Sequence, residues 1–193
     1  MTLEKIKILR ERTGAGIVEV KKALEEAGGN EEKAIDILRK RGQEKAVKKS
    51  ARSAKEGVIA SYVHSNNKVG AMVKVYCETD FVARNNEFKE LAMDLAMHIT
   101  AANPQYLSPD DVPESIIEKE KEIWTALLEK EGKPKNIMAK ALEGKEKKFR
   151  QEAALLTQPF IKNPDITVKE LIAEMIGKIG ENIQVGEFSR YEL

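Results

Sequence analysis

The sequence predicts an α+β protein, with an N-terminal three-helix bundle followed by a core of a few antiparallel strands and a helical arm inserted between them. Three observations carry that reading. Over residues 3–42, apolar side chains recur at helical spacing in three short segments separated by glycine breaks. Two runs rich in Val, Ile, Tyr and Ala then flank Asn66-Asn67-Lys68, the pattern of a β-hairpin. Strongly helical segments fill most of the remaining chain before a last β-type run from Ile183 to Tyr191, which places helices between strands of one sheet.

Leu3 to Thr13 repeats Leu3, Ile6 and Leu9 at the rhythm of an amphipathic helix and stops at Gly14-Ala15-Gly16. Ile17 to Ala27 carries Val20, Ala23, Leu24 and Ala27 on one stripe and ends at Gly28-Gly29. Asn30 caps a third helix bearing Ala34, Ile35 and Leu38, expected to close at Gly42. Helices this short are marginal alone, so they must pack on one another. Gly14-Ala15-Gly16 lacks a preceding strand and a following Gly-Lys-Ser or Gly-Lys-Thr, so it reads as a turn and not as a phosphate loop.

Gln43 to Lys55 holds Lys45, Lys48, Lys49, Arg52 and Lys55 with few large apolar residues, and is expected to be a basic linker, in part helical. The expected organisation is therefore a bundle at 1–42, a linker at 43–56 and a core domain at 57–193 whose helical arm spans about 113–155. In the core, Gly57 to Ser65 and Val69 to Cys77 form the hairpin, the second strand placing Ala71, Val73, Val75 and Cys77 on one face. Glu87 to Ala102 is a helix with Phe88, Leu91, Ala92, Leu95 and Ile99 on one stripe. Tyr106-Leu107 suggests a short strand before the Ser108-Pro109-Asp110-Asp111 turn. Pro113 opens a long charged helix to about Lys130, and Gly132-Lys133-Pro134 breaks it. Two further helical pieces, Lys135 to Leu142 and Lys145 to Leu155, are expected on either side of Gly144, then a turn at Gln158-Pro159-Phe160. Thr167 with Glu170 predicts a capped helix to about Ile179, ended by Gly180.

Composition narrows function. Of 193 residues, 34% are charged and 5% aromatic, and 33 Lys plus Arg face 32 Asp plus Glu, a net charge of +1. No overall basic field exists to drive binding to phosphate backbones. The single cysteine, Cys77, rules out an internal disulfide and fits a reducing compartment. Met1 to Arg10 has neither a secretory nor a membrane-spanning pattern, so a cytoplasmic location is expected. His64, at the hairpin turn, and His98, near a helix end, have no nucleophile or acid at helical spacing, which speaks against catalysis at either. No catalytic set, metal cluster or cofactor motif stands out.

One stretch does suggest a working surface. Glu78-Thr79-Asp80-Phe81-Val82 places a large ring beside a carboxylate directly after a strand. A short corner between strand and helix would hold Phe81 ready to enter another surface; alternatively the ring folds back as a staple onto the following helix. Spacing leaves both open.

Leu9-Arg10-Glu11-Arg12-Thr13-Gly14-Ala15-Gly16 followed by Lys21-Lys22-Ala23-Leu24, then Thr79-Asp80-Phe81-Val82, then Ile179-Gly180-Glu181-Asn182-Ile183, together resemble the elongation factor Ts family along essentially the whole chain. The length resembles the short form, with one β module. The resemblance implies a ubiquitin-associated-like bundle, a dimerisation-type α+β core, and exchange of GDP for GTP on elongation factor Tu, with no chemistry or cofactor of its own. It implies that Thr79, Asp80, Phe81 and Val82 dislocate Mg²⁺ in that partner, and that Arg12, Thr13, Gly14, Ala15, Gly16, Lys21 and Lys22 dock on it. GDP-bound and nucleotide-free elongation factor Tu are the expected partners, with no membrane and no specific nucleic acid. A noncovalent homodimer through the core is a further expectation, since an open sheet face or edge wants a cover. The chain departs from the family pattern at Glu19-Val20, where an acid followed by cysteine is common, and at Gly186-Glu187, where two arginines are common. Rival readings are an enzyme, a docking module without effect on nucleotide, and RNA binding through Lys45 to Lys55.

Overall fold

The computed structural model describes residues 3–193, and of Asn136 the backbone alone. In chain order its elements are α1 (Leu3–Thr13), α2 (Ile17–Glu26), α3 (Glu31–Lys49), β1 (Glu56–Val63), β2 (Val69–Cys77), α4 (Asp80–Arg84) and α5 (Asn86–Ala102). There follow α6 (Glu114–Lys130), α7 (Lys135–Ala153), β3 (Pro159–Phe160), β4 (Asn163–Thr167), α8 (Val168–Ile179) and β5 (Gln184–Glu192). The fold is α+β. Two compact units form, one from the chain up to Thr100 with Lys169–Leu193, the other from Ala101–Val168.

In the first unit, Ile6, Leu9, Val20, Ala23, Leu24, Ala34, Ile35 and Leu38 of α1, α2 and α3 bury one another in a single cluster. Helix breaks fall where glycine takes positive φ, at Gly14 (65°) and at Gly28 and Gly29 (61° and 84°). The Asn30 side chain accepts the Lys33 N–H at 3.0 Å and caps α3. The third helix does not close at Gly42 as expected; it runs on to Lys49. A Cβ on Gly177 of α8 would lie 3.6 Å from the Gly42 Cα. Gly42 thus marks a close crossing of two helices, and the contact with α8 offsets the entropy that a mid-helix glycine costs.

β1, β2 and β5 form an antiparallel sheet with β2 in the centre. The alternation read from the sequence holds, with Ala71, Val73, Val75 and Cys77 buried on one face. Helix α5 buries Phe88, Leu91, Ala92, Leu95 and Ile99, and Arg190 of β5 donates to its Thr100 carbonyl at 2.9 Å. Glycine is required at position 57, where a Cβ would stand 2.1 Å from the Val75 carbonyl oxygen. The Gly186-Glu187 departure sits in a β-bulge, because pairing passes from Val73–Phe188 to Val75–Val185. Both residues have a local role there. A Cβ at 186 would meet the Tyr76 ring at 2.5 Å, and Glu187 pairs with Lys74 at 2.7 Å.

In the second unit, α6 and α7 form an antiparallel helical hairpin. The two pieces expected around Gly144 are one continuous helix, since the rest of α7 is rich in good helix formers; a Cβ added at Gly144 would meet nothing within 4 Å. Arg150 ties the hairpin to the turn before it. Its Nε donates to Glu146 at 2.9 Å, Nη2 to Glu114 at 2.6 Å and Nη1 to the Val112 carbonyl at 3.0 Å. Hydrogen bonds from Lys121 and Arg150 hold the Glu146 carboxyl below its usual range. Trp124 and Phe149 meet edge to face with centroids 5.8 Å apart. Tyr106 makes a lone parallel bridge to Ala154 in place of the expected strand, and the expected Gln158-Pro159-Phe160 turn is replaced by β3, paired with β4. Runs of two and five residues are too short to carry a strand period that could be read in the sequence.

Candidate functional site

The corner after β2 is more ordered than the simple turn that was expected. Thr79 caps the five-residue helix α4, its hydroxyl oxygen accepting the Val82 N–H at 3.4 Å. Asp80 forms an ion pair with Arg84 at 3.0 Å, one turn along α4. Phe81 projects from this helix with 80% of its surface exposed. The staple alternative is therefore not what the chain adopts. A ring this exposed on a monomer's surface marks a candidate contact site. Val82 is half-buried and Ala83 buried, so the helix is seated on the unit while the ring points away.

Two acids brace the corner reciprocally. The Glu181 carboxylate accepts the backbone N–H groups of Glu78 and Thr79, both at 3.1 Å, and the Thr79 hydroxyl at 2.7 Å. In return, Glu78 accepts the Asn182 N–H at 2.6 Å and lies 3.5 Å from Arg52. Asn182, 1% exposed, donates to the Arg52 carbonyl at 2.7 Å and to that of Ser50 at 3.4 Å. Lys49 donates to the Gly180 carbonyl at 2.5 Å. The blocks Glu78 to Val82 and Ile179 to Ile183, far apart in sequence, are thus one site, and the end of α3 is bound into it. Burial, with the nearby Glu181 charge, pushes the Cys77 thiol up to about 11. It stays protonated at neutral pH and donates to the Thr79 carbonyl at 3.2 Å.

The predicted docking residues form a second surface. The Thr13 hydroxyl donates to Leu9 O at 2.6 Å, ending α1, and accepts the Ala15 N–H at 3.4 Å. Gly14 lies so close to Lys178 that a Cβ would come within 2.7 Å of its side chain. The loop is thereby fixed against α8, while Arg12, Gly16, Lys21 and Lys22 remain exposed. Ile17 and Val18 are also exposed, by 50% and 65%. Sequence reasoning had Ile17 only as a helix start; its signal was an apolar pair off the core stripe of α2. At the other departure, Val20 is core and Glu19 is paired with Lys45 of α3.

The remaining candidates stand apart from both surfaces. His98 is buried within α5, and His64 lies exposed at the hairpin turn, 3.2 Å from the Tyr62 hydroxyl. Of the basic run, Lys45, Lys49 and Arg52 are engaged within the chain, which disfavours a stripe of cations facing RNA. Among the described residues no helix is long and apolar enough to cross a membrane, and no group of three or more His, Cys, Asp and Glu could hold a metal. On the outer sheet face, opposite the buried one, Ile59, Val63, Met72 and Tyr191 are exposed.

The family model described as elongation factor Ts matches residues 7–193. The elongation factor Ts of Carboxydothermus hydrogenoformans is 54% identical over 193 residues, covering 100% of this chain and 89% of that protein. That of Thermodesulfovibrio yellowstonii is 52% identical over 193 residues, covering 100% and 96%. That of Syntrophomonas wolfei is 51% identical over 193 residues, covering 100% and 90%.

Proposed function

This chain belongs to the elongation factor Ts family, and from that premise we propose that it binds elongation factor Tu·GDP and promotes GDP release by disturbing the Mg²⁺ and phosphate site, so that GTP rebinds. The observation that carries this reading is Phe81, exposed by 80% on a corner whose preceding backbone is held by Glu181. Phe81 enters an apolar crevice of the partner, and Thr79, Asp80 and Val82 set and flank it. Arg12 to Gly16, Lys21 and Lys22 dock the bundle on the nucleotide-binding domain of the partner. Anchored through the bundle as well, the tip acts as a lever. A nucleotide held by Mg²⁺ and phosphate-loop hydrogen bonds is bound more weakly once those groups are displaced. The factor needs a wedge and no acid, base or nucleophile, so it works as an exchange factor in the cytoplasm without catalysis of its own.

Stopped-flow release of a fluorescent GDP from elongation factor Tu tests this. The chain should accelerate release, and Phe81→Ala should lose on the order of tenfold or more of the acceleration while keeping its fold. Parental release rates with Phe81→Ala would refute the wedge; binding without acceleration by the parental chain would leave a docking module.

A second reading concerns assembly. Ile59, Val63, Met72 and Tyr191 make an apolar outer sheet face, which favours a noncovalent homodimer through the core domain. Sedimentation of the chain as a single copy at micromolar concentration would refute it.

A further inference from the structure

Phe81 has almost no contacts of its own to fix its direction, and the helix it rides on is five residues long. An isolated helix of that length has no stability. Whatever aims the ring must therefore lie behind it, in the backbone where β2 turns into α4. Each polar group of Thr79 is committed there. Its N–H and hydroxyl donate to Glu181, its hydroxyl oxygen accepts from Val82, and its carbonyl accepts from Cys77. Glu181 is the common partner. It lies on the loop between α8 and β5, and one carboxylate collects three donors from the corner, the Glu78 N–H being the third. The loop is itself anchored, because Asn182 is buried and bonded to Glu78 and to the carbonyls of Ser50 and Arg52. A carboxylate with three donors holds a geometry more rigidly than a neutral acceptor does.

Resting on the exchange function proposed above, we infer that Glu181 is a positioning residue of the tip, holding the β2–α4 corner so that Phe81 is presented in one orientation and thereby setting how fast a docked partner releases GDP. Glu181 is assigned a role through the corner it holds and not through contact with the partner. Its role is to limit the orientations that the ring samples, so its loss lowers the fraction of complexes in which the ring is correctly aimed. The proposed docking residues, Arg12 to Gly16 with Lys21 and Lys22, are left unchanged. The consequence is a separation of two kinetic quantities: the release rate at saturating chain falls, and the concentration of chain giving half the effect does not.

The experiment titrates parental chain, Glu181→Gln, Glu181→Ala, Phe81→Ala and the double variant Glu181→Ala/Phe81→Ala against elongation factor Tu loaded with fluorescent GDP, with thermal unfolding of each chain measured in parallel. Glu181→Ala should lower the saturating release rate by about tenfold, with half-saturation unchanged within about twofold. Glu181→Gln keeps one accepting oxygen and should recover part of the loss. In the double variant the losses should fail to add, because a ring that is absent cannot be misaimed. An unchanged saturating rate in Glu181→Ala, a loss confined to half-saturation, or full additivity with Phe81→Ala would overturn the inference. If Glu181→Ala does not fold at the assay temperature, Glu181→Gln decides by the same comparison. Failure of the exchange reading itself is seen separately, as a parental chain that accelerates nothing.

Discussion

At the scale of the residue, exposure and burial assign different work to similar side chains. Phe81 and Phe88 lie seven positions apart in adjoining helices, yet Phe88 is wholly buried in α5 and Phe81 stands in solvent. The acids differ as sharply. Glu181 satisfies three donors, whereas Glu174 of α8 is held partly out of water, which with the nearby charge of Glu170 pushes its carboxyl above the usual 4.5 in spite of Arg39 at 3.5 Å. Its folded form therefore binds a proton more tightly than the unfolded chain does. Well below pH 4.5 both states are protonated and the group costs nothing; the cost grows as pH rises from 4.5, where the unfolded carboxyl ionises, to the raised folded value, and is complete above it. Glu174→Gln should then equal or exceed the parental thermal midpoint at pH 7, by about 1–3 °C, because the exposed ion pair it loses is worth little. The gain should vanish as pH is lowered below 4.5. Melting curves across that range check the sign, and a variant less stable at pH 7 would show that Arg39 outweighs desolvation.

At the scale of the element, the two internal glycines that looked like helix ends are both inside helices, for different reasons. Gly42 sits at a close crossing with α8, so packing holds α3 together. Gly144 is exposed and a Cβ there would meet nothing within 4 Å, so its neighbours' propensity and not a packing contact at this position carries α7 across it. Gly144→Ala should accordingly stabilise the protein by about 1 kcal/mol, read as a higher midpoint in denaturant; no gain would mean that this stretch of α7 adds nothing to the cooperative unit. These two positions also mark what could be read in the sequence. The starts of the longer helices, the hairpin itself and the buried face of β2 were legible because each follows from local periodicity, a cap or turn residues. The run of α3 to Lys49 was not, since it depends on Gly177, far along the chain. The corner was half legible: its place between a strand and a helix could be read, but spacing left the direction of Phe81 open, and nothing local says that Glu78 and Glu181 each accept backbone N–H groups from the other's segment. Tertiary hydrogen bonds of this kind leave no period to detect.

At the scale of the whole molecule, a net charge of +1 leaves little long-range field to draw the chain to a partner, so specificity must come from fitted surfaces. An exchange factor then has to satisfy a thermodynamic identity. If the chain weakens GDP binding to elongation factor Tu by some factor, GDP must weaken binding of the chain by the same factor. On the proposed function, incoming nucleotide would expel the chain for that reason, and the cycle would need no energy from the factor. We expect the dissociation constant of the chain for GDP-bound elongation factor Tu to exceed that for the nucleotide-free form by about tenfold or more. The measurement is a pair of titrations, monitored calorimetrically, on the two forms of the partner at one Mg²⁺ concentration. Phe81→Ala should shrink the ratio chiefly by weakening the nucleotide-free complex, since in the proposed mechanism docking through the bundle is common to both forms while the wedge fits only where Mg²⁺ and phosphate contacts are displaced. A ratio near one for the parental chain would mean that it binds both forms alike, and a protein that binds two states equally cannot shift the balance between them.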